Sequence, residues 1–275
     1  MAKIVELFGP PGVGKTTICK EVEAKWESEY KWIPASNLFP PQKKTAISPK
    51  INIAFINKLL RQSNIDYDAI HEVERNFIAS HPKLMDAFWK NICYNQKRGF
   101  NGIDIRFEKS NFLRKRIQKI QFVSENKTSK ICLVDEGITQ MIPGAIYKSK
   151  NSAEEQKEIY SIIGMCPLPV AIINIDTDTK EIANRLYQRN KVNPMHKNLT
   201  LSELESITEL SRERRKIITK ILEEAGMPML KIDSRMNSAD NALKIISFLN
   251  NEFLKTNIVL KNNFNLSPTL PMNML

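Results

Sequence analysis

Gly9-Pro10-Pro11-Gly12-Val13-Gly14-Lys15-Thr16-Thr17, preceded by the apolar run Ile4-Val5-Glu6-Leu7-Phe8, is the stretch on which the fold turns. It fits G-x-x-x-x-G-K-[ST], a phosphate-binding loop. The glycines let successive backbone N–H groups converge on phosphate oxygens, Lys15 places an ammonium near the β- and γ-phosphates, and the Thr16 hydroxyl suits Mg²⁺. The motif needs a short strand to deliver the loop and a helix to leave it, with the helix dipole pointing at the anion. Both are written here. Ile4 to Phe8 is β-rich, and Ile18, Val22 and Trp26 fall at i, i+4 and i+8, one apolar face of a helix. Residues Gly9 through Thr17 are therefore expected to bind a nucleoside triphosphate.

The rest of the chain bounds the setting. It has 275 residues, 42% of them hydrophobic and 26% charged, enough to bury a substantial core as one domain with an insertion. No run approaches the ~18 apolar residues of a membrane span, and the N-terminus enters a strand at once, so no signal peptide, no membrane and a cytoplasmic protein are expected. Cys19, Cys93, Cys132 and Cys166 form no Cys-x-x-Cys pair and read as reduced, buried thiols. The net charge of +11 predicts an anionic partner, either a phosphorylated metabolite or nucleic acid.

Along the chain, Tyr30 to Ile33 reads as a second strand, followed by a Pro-rich basic loop through Lys43 and Lys44. From Pro49 to Asn126 the pattern is helical, with apolar faces at Ile53, Ile56, Leu59 and Leu60, at Ile70, Val73, Phe77 and Ile78, and at Phe88, Trp89 and Ile92, broken at Pro82. This is longer than a crossover helix and predicts an inserted helical subdomain over the mouth of the sheet. Ile131 to Val134 returns a buried strand that ends in Asp135-Glu136-Gly137, the Walker B arrangement, in which Asp135 holds Mg²⁺. Ser152 with Glu155 predicts a capped helix, Val170 to Ile175 a parallel strand, and Asp178 with Glu181 the cap of a helix bearing Arg185 and Arg189 one turn apart. A loop is expected over 190–200, a helix opened by Ser202 and Glu205 and closed by Gly226, a last strand over Met229–Ile232, and a closing helix through Leu249. The tail over 256–275 is expected to be loosely ordered. Alternating strands and helices predict an α/β fold, a parallel sheet between two helical layers.

With these landmarks the chain resembles, over roughly residues 3–254, the P-loop kinase family that includes nucleoside monophosphate, thymidylate and deoxynucleoside kinases. The landmarks are the loop Gly9 to Thr17, the strand end Asp135-Glu136-Gly137, and Asn184-Arg185-Leu186-Tyr187-Gln188-Arg189, which is similar to the arginine-bearing lid of those enzymes. The resemblance implies a three-layer P-loop NTPase fold with a five-stranded parallel sheet of order 2-3-1-4-5. It also implies one domain over 1–255, with 49–126 as the acceptor-binding helical insertion and 185–200 as the lid. Two departures stand out. Thymidylate kinases carry an arginine after the Asp of the third strand where this chain has Glu136, and the acid or arginine usual after the second strand is absent from Pro34 to Phe39. The acceptor's identity therefore does not carry over. Arg75, Arg98 and Arg106 stand on or beside the helical block as candidates for an anionic acceptor.

The chemistry expected is transfer of the γ-phosphoryl group of ATP to a small-molecule acceptor, such as a nucleotide or nucleoside. It would use Lys15, a Mg²⁺ on Thr16 and Asp135, Glu136 as proton acceptor, and Arg185 and Arg189 over the donor phosphates. The competing expectation is a nucleic-acid-linked or regulatory ATPase in which Glu136 activates water. Its support is the acid-free basic run Lys109 to Lys119, although on a helix part of that run is simply the wet face.

Overall fold

In a computed structural model of the chain, the residues described are 2–38, 67–94, 105–146, 152–189, 196 and 199–252. Strands β1 (Ile4–Phe8), β2 (Trp32–Pro34), β3 (Ile131–Val134), β4 (Ala171–Asp176) and β5 (Met229–Asp233) form one sheet of order β2-β3-β1-β4-β5, every neighbouring pair parallel. This is the expected α/β fold and strand order. The helices among the described residues are α1 (Lys15–Ala24), α2 (Tyr67–Ser80), α3 (Pro82–Tyr94), α4 (Ile105–Glu125), α5 (Ile142–Ala145), α6 (Ser152–Met165), α7 (Thr179–Tyr187), α8 (Leu201–Glu224) and α9 (Ser238–Ser247).

The period of two along each strand sorts its side chains between two layers. Val5 and Leu7 of β1, with Ala171, Ile173 and Ile175 of β4, face α1, α7 and α9, where Ile18, Val22, Ile182, Ala242 and Ile245 close one core. Phe8 and Ile172 point the other way, into a core built from Phe77, Phe88, Leu113, Ile117, Ile159 and Ile218. Helices α2 to α4 of the inserted block thus share a core with the sheet. Continuous apolar burial on both faces is what a parallel sheet requires, and it explains why β3 reads as an unbroken apolar run and β1 departs from one only at Glu6.

Several boundaries differ from expectation for local reasons. The second strand starts two residues later than Tyr30, since a turn precedes it. Two overlapping frames, Thr200-x-x-Glu203 and Ser202-x-x-Glu205, compete to open α8, and the first wins. Thr200 Oγ1 accepts from the Glu203 N–H (3.3 Å), and the Glu203 carboxylate accepts from the Thr200 N–H (2.7 Å). Only this frame places Leu199 and Leu204 together in the first core, as a hydrophobic staple. Ile78 and Trp89, expected to be core, are partly exposed, while Phe77, Phe88 and Ile92 beside them are buried. Cys93 is exposed, whereas Cys19 and Cys132 are buried as free thiols. The face Ile53 to Leu60, Arg98, Lys43 and Lys44, most of the 190–200 loop and the 256–275 tail lie outside the described residues. Among the described residues no helix is long and apolar enough to cross a membrane.

Two glycines of the phosphate loop are fixed by close approach. A Cβ on Gly9 would stand 2.2 Å from the Ile175 carbonyl oxygen, so β4 passes too near for any side chain. Gly12 has φ +87°, and a Cβ there would lie 2.7 Å from Cγ of Leu186, a buried residue of α7. Gly12→Ala is expected to cost about 1–3 kcal/mol of stability from backbone strain and overpacking. Urea denaturation of the two proteins measures it, and an unchanged midpoint would contradict this geometry.

Candidate functional site

The loop leaves the C-terminal end of β1 and enters α1 at Gly14, whose left-handed φ of 101° caps the helix. The N–H groups of Lys15 and Thr16, ahead of the bond that the Thr17 N–H makes to the Gly14 carbonyl (3.0 Å), point out of the helix end with the dipole behind them, which makes an anion seat. Lys15 is buried, and its Nζ donates to the carbonyls of Gly9 (2.7 Å) and Pro10 (2.9 Å). Burial, helped by the nearby charge of Arg215 and opposed by Glu136, pushes its pKa down to about 7. Pro11, Thr16 and Thr17 are exposed at the loop surface.

A second set of groups holds the loop from behind. Glu6, an acid in the middle of an apolar strand, is fully buried and accepts from the backbone N–H groups of Thr139 (3.1 Å) and Gln140 (2.8 Å). Burial raises its pKa. The turn it secures carries Gln140, whose side-chain amide brackets the Gly9 residue: Nε2 donates to the Gly9 carbonyl (2.8 Å) and Oε1 accepts from the Gly9 N–H (3.2 Å). The phosphate loop and the turn after β3 are thus fastened through one side chain. The out-of-pattern Glu6 was the signal in the sequence; nothing marked Gln140.

Asp135 and Glu136 directly follow β3, as expected, yet neither stands alone. Lys119 of α4 pairs with Asp135 and Arg116 of α4 pairs with Glu136. These cations belong to the basic 109–119 run. On α4 the buried Leu113, Ile117 and Ile120 face the core, Phe112 and Lys115 face solvent, and Arg116 and Lys119 lie between, turned to the carboxylates.

Arg185 does not hang free above the loop in this structure. Its Nη1 donates to the Val13 carbonyl (3.2 Å) and to Ser234 Oγ (3.0 Å), its Nη2 to the Ser234 carbonyl (3.2 Å), and its Nε to Glu181 (2.8 Å). It ties α7 and the turn after β5 to the phosphate loop. Arg189, exposed beyond the end of α7, bears electrostatically on Lys15 and on His196, whose pKa is lowered first by burial and then by Arg189. Arg75 and Arg106 are exposed on the helical block.

A further residue that sequence reasoning missed is Arg215. Helix α8 carries the run Arg212-Glu213-Arg214-Arg215, and its arginines diverge to different elements. Arg212 forks onto Asp176 at the end of β4 (3.0 and 2.9 Å), and Arg214 pairs with Glu155 of α6 (2.5 Å). So anchored, α8 lays the buried Arg215 guanidinium over the Phe8 ring, 5.6 Å from its centroid, at the root of the phosphate loop. Nη1 donates to the Ser211 carbonyl (3.1 Å) and hydroxyl, while the buried Nε finds no partner among the described residues. Burial pulls its pKa down to about 10, with Glu136 and Asp176 opposing that shift. A buried, under-satisfied guanidinium costs free energy unless an anion completes it.

No protein-family model matches the chain, and no curated protein does. Among solved structures it is similar to a crystal structure of a gluconokinase from Sinorhizobium meliloti 1021, with 12% identity, a TM-score of 0.32, and 93% of this chain and 97% of that chain covered. The class is defined by the chain's own geometry: an α/β P-loop fold, with a five-stranded parallel sheet of order 2-3-1-4-5 and a phosphate-binding loop between its first strand and helix.

Proposed function

We propose that the protein is an ATP-dependent phosphotransferase of the P-loop kinase type, moving the γ-phosphoryl group of ATP to a small anionic acceptor with Mg²⁺. The observation that carries this reading is Arg215, a buried guanidinium without a full set of partners, in the electrostatic field of both Lys15 and Glu136. Positive charge placed in a dry site before substrate arrives is what phosphoryl transfer needs, because the reaction spreads negative charge over the transferred oxygens. The helical block that contributes Arg116 would form the acceptor side, and residues 185–200 would form the lid.

Gly9 to Thr17 would cradle the triphosphate through backbone N–H groups, with Lys15 turning from the Gly9 and Pro10 carbonyls to the terminal phosphates. The acceptor oxygen attacks the γ-phosphorus, the bond to the β–γ bridging oxygen breaks, and ADP leaves with that electron pair. Where the acceptor oxygen carries a proton, the Glu136 carboxylate takes it. Arg215 and Arg189 would face the transferred group, and Arg185 would keep the loop in shape. Thr16 and Asp135 fit Mg²⁺: both are hard oxygen donors, and this ion is ordinarily held by one or two protein oxygens with phosphates and water completing its shell. When bound it would neutralise charge on the β- and γ-phosphate oxygens.

The direct test is ATP consumption against a panel of nucleoside monophosphates, nucleosides, sugars and phosphorylated metabolites, with the acceptor-free rate as control. One acceptor should raise turnover far above that rate. A panel without effect, together with stimulation by DNA or RNA that falls steeply with salt, would favour the ATPase reading instead. Arg215 offers a sharper check. Arg215→Met should cut turnover by about 10²–10³-fold, as removal of one preorganised donor does. The same change removes an under-paired buried charge, so the thermal midpoint should stay or rise. A large loss of stability with intact kcat would make Arg215 a structural residue only.

A further inference from the structure

Two cations of the basic run on α4 reach the two acids at the end of β3, and of these Lys119 has no part in the kinase kit just described. We propose that Lys119 is a phosphate-binding residue of the site that takes the metal's place: it rests on Asp135, meets the triphosphate while no metal is bound, and is repelled once a metal takes that carboxylate. Lys119 and Arg116 stand three residues apart on one face of α4, and Asp135 and Glu136 are adjacent, so the two pairs form side by side. The other cations of the run do not point this way: Lys109 donates to Asn91 Oδ1 (3.4 Å), Lys115 is exposed, and Arg114 pairs with Glu74 of α2 (2.7 Å). Lys119 and Asp135 are each about a third exposed, at 30% and 34%, so the pair can open without unpacking the core.

Charge forces the exchange. An ammonium and a divalent cation cannot both hold the same carboxylate oxygen closely, since like charges in contact repel strongly in a partly buried site. With no metal at Asp135, the same ammonium can turn to the oxygens of a triphosphate cradled by the neighbouring loop, whose helix α1 carries Cys19 in the field of both Lys119 and Asp135; a metal there repels it from the carboxylate and the phosphates alike. Arg116 remains on Glu136, in the field of Lys15 and Arg215, so α4 keeps its place. Lys119 would then bind ATP best without metal and oppose metal loading at Asp135, giving one residue opposite effects on the two forms of the nucleotide.

This rests on the phosphate-loop reading, and calorimetry separates the two. The quantity measured is the ratio of the Kd for ATP in EDTA to the Kd for ATP with saturating Mg²⁺. Lys119→Met should raise the ratio about tenfold or more, the scale of one partly screened charge, by weakening metal-free ATP and sparing or tightening the Mg²⁺ complex. Asp135→Asn should drive it toward one. Lys115→Met, a solvent-facing neighbour, should leave it unchanged. If wild type binds ATP but Lys119→Met and Asp135→Asn shift the ratio in the same direction, or Lys119→Met matches Lys115→Met, the pair is merely structural and the proposal is overturned. If wild type binds no ATP, the phosphate-loop reading itself fails and carries this one with it.

Discussion

Lys15→Ala is expected to lower phosphoryl transfer by about 10²–10³-fold and to weaken triphosphate binding, while the fold persists. The ammonium is the one loop group that carries a full charge, and at a water-excluded site a single preorganised donor is worth about 10²–10³ in kcat. In the free protein its Nζ is satisfied by the Gly9 and Pro10 carbonyls, so its loss costs ligand binding more than loop structure. The pH dependence follows from the depressed pKa of about 7. Bound phosphates favour the ammonium and raise that pKa, so below pH 7 Lys15 is already charged and binding needs no proton. Above pH 7 the proton must be taken up with the ligand, and affinity for ATP falls as pH rises toward the pKa of the complex. Calorimetry at pH 8 in buffers of different ionisation enthalpy should register net proton uptake that vanishes in Lys15→Ala. Proton uptake identical in the two proteins, with unchanged ATP affinity, would remove Lys15 from the site.

Glu136→Gln is expected to cut turnover by about 10²–10⁴-fold, the range of a positioned general base, with ATP affinity nearly intact. Glutamine keeps the shape and can still meet Arg116, so the partner guanidinium is not cast loose. The loss should appear in kcat and kcat/KM alike, because a carboxylate in this role would act only as the acceptor proton departs. Its size depends on the acceptor: an ionised phosphate oxygen brings no proton and would leave Glu136→Gln nearly as active as wild type. Full activity on a neutral hydroxyl acceptor would be inconsistent with a base at Glu136.

The fold was legible in the sequence because its signals are local and periodic. Ile4 to Phe8 followed by the glycine-lysine loop can be read without knowing what lies across the sheet, and so can the apolar run closing in Asp135-Glu136. Helix caps were legible only where frames did not compete. Asp178 does accept from the Glu181 N–H (2.8 Å), whereas the choice of Thr200 over Ser202 depended on which frame buries Leu204 beside Leu199.

The candidate site divides along the same line. By itself the sequence determined the groups whose chemistry is tied to chain spacing: the loop N–H groups, Lys15, Thr16, and the acids at a strand end. Tertiary structure alone decided which side chains from distant segments meet them. Gln140 reaches Gly9 across 131 residues, Arg185 reaches Val13 across 172, and Arg116 and Lys119 turn a seemingly exposed basic run onto Glu136 and Asp135. Arg215 is indistinguishable in sequence from Arg212 and Arg214, and it is buried over Phe8 on a helix whose neighbouring arginines are fastened to β4 and α6. Periodicity reports the face a residue occupies on its own helix; the charge it meets there is set by the packing of another.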